Sequence, residues 1–191
     1  MIRAVVFDLD GVLVDSEALS CGATADLLTA RGVPMTEPDV RRLFLGKPIA
    51  AVYDHVRALG CGPLPASFAE EKERLYFERA RGRLRAFAGA EDVIATVGAR
   101  LPIAIASSGS PRKVAFSLGE TGLSRLFSVV CTTAEVARGK PAPDLFLLAA
   151  ERLHVSPQDC AIVEDARPGI EAARAAGAFA VGVTWPPARR R

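Results

Sequence analysis

Four short runs of apolar residues break the polar background of the chain: Ala4-Val5-Val6-Phe7, Ile103-Ala104-Ile105-Ala106, Phe127-Ser128-Val129-Val130 and Ala161-Ile162-Val163. A fifth, Phe179-Ala180-Val181-Gly182-Val183, follows near the end. Their apolar character is continuous and does not alternate, which suits parallel strands buried on both faces. Helical spacing lies between them, over roughly residues 111–121, 143–153 and 168–176. Strand and helix in alternation predict an α/β fold with a parallel sheet.

Residues 16–82 break that rhythm. They hold no convincing strand. Helix-like stretches run around 16–30, 37–45, 48–58 and 66–81, separated by Gly32-Val33-Pro34, Gly46-Lys47-Pro48 and Gly60-Cys61-Gly62-Pro63. The expected organisation is a core of residues 1–15 and 83–191 with an all-helical insertion over 16–82. The return to the core falls near Gly82, before Gly89.

Composition then removes several function classes. The chain has 191 residues, 50% of them hydrophobic and 24% charged, which is enough for a buried core. Lys and Arg number 24 against 22 Asp and Glu. So even a balance argues against a nucleic-acid binder. The terminal Arg189-Arg190-Arg191 reads as a solvated tail. No stretch of apolar residues is long enough to span a membrane, and the first residues lack the pattern of an export signal. Cys21, Cys61, Cys131 and Cys160 form no CxxC pair. They read as reduced thiols, and the expected location is cytoplasmic.

The chemistry sits in the loops after the strands. Asp8-Leu9-Asp10-Gly11 follows the first run. Two carboxylates two residues apart at a strand end can face one pocket, and open α/β sheets bind ligands at the carboxyl ends of their strands. Crowded carboxylates repel, so a cation or a retained proton is expected there. Ser107-Ser108-Gly109-Ser110-Pro111 follows the second run. Its N–H groups and the Ser107 hydroxyl suit an oxyanion, while Ser110 and Pro111 also read as an ordinary helix start. Lys140 stands in a stiff Gly139/Pro141 frame, and Glu164-Asp165 ends the fourth run. Adjacent carboxylates suit a hard cation such as Mg²⁺, although a solvated loop start or a helix N-cap would look the same.

With these residues in place, the chain resembles the haloacid dehalogenase superfamily, in its branch of small-cap phosphatases and β-phosphoglucomutases. FDLDGVLVDSE (7–17), ASSGS (106–110), GKPAPDLF (139–146) and VEDARPGI (163–170) are similar to the four motifs of that family. The resemblance runs along nearly the whole chain and implies a Rossmann-like core with a helical cap inserted after the first motif. It implies Asp8 as a nucleophile that forms an aspartyl-phosphate, and Asp10 as general acid and then general base. It implies Mg²⁺ held by the Asp8 carboxylate, the Asp10 carbonyl and the Asp165 carboxylate, with Glu164 behind them. Ser107, Ser108 and Lys140 would bind the transferring phosphoryl group.

Departures from the family pattern sharpen the expectation. β-Phosphoglucomutases carry a His five residues after the position of Asp15, where this chain has Ser20. They also carry an Arg three residues after the counterpart of Gly46, where this chain has Ile49. Both point to a phosphatase and not a mutase. FLGKPIAAVYDHV (44–56) resembles the cap of sugar-phosphate and phosphogluconate phosphatases, which implies a small phosphorylated metabolite, a sugar phosphate or sugar-acid phosphate, as substrate. A monomer is expected. A phosphomutase of the β-phosphoglucomutase kind and a phosphoglycolate-type phosphatase are the alternatives. Lys47 is a candidate substrate contact, with a solvated loop lysine as its other reading. In the fourth motif Ala166 and Pro168 replace the usual residues. Relatives usually continue beyond Pro187, and Trp185 either borders the site or covers the sheet end. His55 and His154 read as structural.

Overall fold

Five parallel strands form one sheet in the computed structural model, which describes residues 1–184. They are β1 (Ala4–Phe7), β2 (Ile103–Ser107), β3 (Val129–Thr132), β4 (Cys160–Glu164) and β5 (Phe179–Gly182). Their order across the sheet is β3-β2-β1-β4-β5. The first strand is therefore central, with Val5 opposite Ile103 on one side and Ala161 on the other. Chain direction across the sheet reverses between β1 and β4. In a doubly wound sheet the crevice outside that reversal is where ligands bind.

Burial follows the continuous apolar runs. Every residue of β1 is buried, as are four of the five in β2 and in β4. Val6 and Ile162 lie in a core cluster with Leu145 and Phe146 of α7 (Asp144–Arg152) and Ala172 of α8 (Arg167–Ala175). β5 departs from the expected burial on both faces: Phe179 is 62% exposed. It is an edge strand that pairs only with β4 among the described residues. An edge has one sheet neighbour, and so less cover, than a central strand.

Two elements differ from the hydrophobic pattern. β3 begins at Val129, two residues later than the run at Phe127 suggests. Phe127 instead ends a short 3₁₀ turn, Leu123–Leu126, and packs edge-on against Phe7 at 6.2 Å. Residues 83–102, which the pattern leaves without an element, contain α5 (Ala90–Gly98). This helix is short and rich in β-branched residues, which have weaker helix propensity. It forms because Ile94 is fully buried, and it starts after Gly89 in the left-handed region at φ 83°.

The chain divides into two compact units. One comprises Met1–Asp15 and the described residues from Leu84 onward, and the other is Ser16–Arg83. In the first unit Asp15 N–H donates to the Arg85 carbonyl at 3.0 Å, so the chain leaves and rejoins this unit at one place. The second unit is all helical: α1 (Glu17–Thr29), α2 (Glu37–Phe44), α3 (Ala50–Ala58) and α4 (Phe68–Ala80). It has its own core, in which Leu28, Val56 and Phe68 are almost wholly buried. Thr36 opens α2 with a capping box shared with Asp39. His55 packs edge-on against Phe44 at 5.3 Å, and Arg31, in the turn after α1, pairs with Glu71 of α4. In the first unit, α6 (Pro111–Glu120) starts at Ser110, and His154 (φ 55°) turns the chain out of α7.

Trp185, Pro186, Pro187 and the Arg189–Arg191 tail lie outside the described residues. Among those described, no helix is long and apolar enough to cross a membrane, and all four cysteines are free thiols.

The core makes a direct demand on Ile162. Its replacement by Ala should destabilise the protein by about 2–5 kcal/mol, read as a fall in the urea midpoint.

Candidate active site

The β1 ladder continues one residue past the strand. Asp8 N–H donates to the Val163 carbonyl at 2.9 Å, which carries the Asp8 side chain to the β1/β4 reversal and buries it. A tight turn follows. Gly11 N–H donates to Val14, and Leu13 and Val14 N–H both donate to Leu9, each at 3.0 Å. Gly11 sits at φ +83°, and a Cβ there would lie 2.2 Å from Asp165 Oδ2. Glycine is thus required twice, by the backbone conformation and by the approach of a carboxylate.

Lys140 holds the centre. Its Nζ donates to Asp8 Oδ1 at 2.6 Å, to the Ala106 carbonyl at 3.0 Å and to Glu164 Oε1. An ammonium group has three donors, and all three are used. The Phe146 ring lies beneath it, 4.8 Å from Nζ. Burial by itself would lower the Lys140 pKa, but the Asp8 and Glu164 carboxylates outweigh it and hold the pKa above its ordinary value.

Glu164 is 1% exposed, which excludes the reading of a solvated loop start. Its Oε2 accepts from the N–H groups of Asp165 at 3.1 Å and Ala166 at 3.2 Å, which fixes the turn that leads into α8. Gly169 makes the room: a Cβ there would fall 1.9 Å from the Glu164 carboxylate. With both oxygens engaged, Glu164 is better placed to orient neighbours than to supply a free ligand atom.

Burial pushes the Asp8 carboxyl up, Lys140 pulls it back and Glu164 pushes it up again. The balance leaves it raised, at about 7. A raised carboxylate pKa favours folding at low pH. That contribution is complete below the ordinary value of 3.8 and is lost as pH rises through about 7.

Ser107 is 1% exposed, and its Oγ accepts from Gly109 N–H at 3.1 Å. That bond leaves the hydroxyl proton for an oxyanion. Ser108 is exposed, with its carbonyl accepting from Thr133 Oγ1 at 3.1 Å. Ser110 Oγ accepts from Lys113 N–H at 3.1 Å, so the ordinary helix-start reading of Ser110 and Pro111 is correct. Lys47 is exposed in the loop between α2 and α3 of the helical unit, its backbone N–H donating to Phe44.

The structure therefore brings Asp8, Asp10, Ser107, Lys140, Glu164 and Asp165 to the carboxyl edge of one sheet. It also adds Lys113, whose Nζ donates to Asp10 Oδ2 at 2.8 Å. The sequence carried one faint signal for Lys113. A cation in the first turn of a helix opposes the helix dipole and needs a compensating anion.

Side-chain oxygens of Asp8, Glu164 and Asp165 lie within 4.8 Å of one another. These are hard donors, and four carboxylates face two ammonium groups. The set fits a hard divalent cation such as Mg²⁺ in donor chemistry and in charge.

Lys140→Met should be destabilised by about 3–5 kcal/mol at pH 8, because it leaves buried carboxylates without their cation. Without the pull of Lys140 the Asp8 carboxyl takes up its proton at higher pH than the wild-type value of about 7. The deficit should therefore shrink as pH falls from the alkaline side towards about 7 and level off below it, measured by urea unfolding at each pH.

Comparison with known proteins agrees with this geometry. Residues 2–177 match the haloacid dehalogenase-like hydrolase family. The chain is 36% identical to the validoxylamine A 7'-phosphate phosphatase of Streptomyces hygroscopicus subsp. limoneus, over 96% of this chain and 86% of that protein. It is 33% identical to the phosphorylated carbohydrates phosphatase of Thermotoga maritima, over 92% and 82%. Among solved structures, CbbY from Rhodobacter sphaeroides in complex with phosphate superposes with a TM-score of 0.83 at 28% identity, covering 94% of this chain and 85% of that one. From fold, site and these relatives together, the chain belongs to the haloacid dehalogenase-like hydrolase family.

Proposed function

We propose that this protein is a Mg²⁺-dependent phosphatase that hydrolyses a small phosphorylated metabolite, a sugar phosphate or sugar-acid phosphate, through an aspartyl-phosphate on Asp8. The broader class, phosphoric monoester hydrolase, follows from its family and from the phosphatases among its relatives. The observation that carries the finer reading is the Asp8 carboxylate, buried at the β1/β4 reversal and held 2.6 Å from Lys140.

In this reading an Asp8 oxygen attacks phosphorus, and the bond from phosphorus to the substrate oxygen breaks. The Asp10 carboxyl group gives its proton to that oxygen, and an alcohol leaves. Water then attacks the phosphorus of the aspartyl-phosphate while Asp10 takes its proton. Phosphate departs, and the Asp8 carboxylate is restored. Lys140 offsets the charge that Asp8 and the phosphoryl oxygens bring together. Ser107 and the N–H groups around Ser108 orient the oxygens, so catalysis rests on positioning and charge. The Asp8 and Asp165 carboxylates and the Asp10 carbonyl would hold Mg²⁺, with Glu164 behind, and the bound ion would supply positive charge to the phosphoryl oxygens.

The helical unit is the cap in this proposal, and Lys47 in its α2–α3 loop is a contact for the substrate's remaining polar groups. Ser20 and Ile49 favour hydrolysis over return of the phosphoryl group to a sugar. With free thiols and no membrane-crossing helix among the described residues, we assign it to the cytoplasm.

The test is phosphate release from a panel of sugar, polyol and short-acid phosphates, with Mg²⁺ or with chelator. Release should require Mg²⁺ and fall by at least about 10³-fold in Asp8→Asn. An Asp8→Asn protein that keeps full activity would overturn the mechanism. Gly11→Ala should weaken Mg²⁺ binding, measured by titration calorimetry, because its Cβ would displace the Asp165 carboxylate.

A further inference from the structure

We infer that Lys113 is a positioning residue for the Asp10 carboxyl group, selecting the orientation from which Asp10 protonates the leaving oxygen. This rests on the proposed acid role of Asp10 and goes beyond it by naming what holds that acid in place.

Both ends of the contact are anchored by backbone. The Asp10 main chain is set by the turn from Leu9 to Val14, and the Lys113 main chain by its N–H bond to Ser110 Oγ. What the backbone leaves to be set are the side-chain torsions. The Nζ–Oδ2 bond of 2.8 Å joins residues 103 apart in sequence and picks one arrangement of those torsions. The two side chains are 20% and 26% exposed, so the pair is partly sheltered from solvent screening.

Local structure does not account for a lysine here. The first turn of α6 holds no acidic residue, and a cation there is opposed by the helix dipole. Its compensation comes from Asp10, on another element. Nor can Lys140 serve Asp10, because its three N–H groups go to Asp8, Ala106 and Glu164. The two lysines thus divide the work: Lys140 serves the nucleophile, Lys113 the acid.

Leaving-group dependence separates this role from a structural one. An alkyl alcohol needs a proton to depart, whereas p-nitrophenolate leaves without one. The quantity to measure is kcat/KM, which reports the first phosphoryl transfer and not the later attack of water. It is determined for the best sugar phosphate of the panel and for p-nitrophenyl phosphate. The proteins are wild type, K113M, K113R, D10N and the double variant D10N/K113M, with K113Q replacing K113M if that protein does not fold.

K113M should lose about tenfold more on the sugar phosphate than on p-nitrophenyl phosphate. K113R should recover most of that selective loss, and the double variant should match D10N alone. Equal losses on the two substrates in K113M, or additive losses in the double variant, would overturn the assignment of Lys113. If D10N itself shows no leaving-group selectivity, the acid role of Asp10 fails and this inference falls with it.

Discussion

The buried ammonium group of Lys140 is the constraint around which the sheet edge is arranged. Asp8 and Glu164 come from adjacent strands, and both carboxylates lie where water cannot screen them. Without a cation between them, one would have to take a proton or the pair would separate. Lys140 reaches both from the segment that follows β3 and also ties down the last carbonyl before Ser107. One side chain therefore binds the ends of three strands. A single polar contact is worth little net in folding, but a buried cation with two anions costs far more to break than to keep.

Close packing of backbone around this centre explains the glycines that matter. Gly11 and Gly169 lie where a Cβ would fall on the Asp165 and Glu164 carboxylates. The fourth motif delivers two adjacent acids, but side chains at those two positions would deny them their space. The Glu164 carboxylate is held by the backbone N–H groups of Asp165 and Ala166, in the turn just ahead of α8. Glu164 thus stays in place by geometry rather than by direct access to solvent.

The raised pKa of Asp8 has a functional reading. A carboxylate buried among others is costly as an anion, and that cost is the driving force for meeting positive charge. Lys140 offsets part of that cost and not all of it. Four carboxylates against two lysines leave an excess of negative charge that favours a divalent cation. The apolar strands behind the site supply the low-dielectric wall that makes those charges count.

Much of this was legible in the sequence, for a definite reason. Strands buried on both faces must be continuous apolar runs, so β1, β2 and β4 stand out, and the acids, serines and lysine that follow them mark the sheet edge. Helical spacing likewise marks α1 to α4, because each must bury one stripe. What the tertiary structure alone decided are pairings with no local period. The Lys113–Asp10 contact, the room left by Gly169 and the start of β3 depend on residues distant in the chain. No pattern of 2 or 3.6 residues encodes them, since only the packing of one element against another determines which side chains share a space.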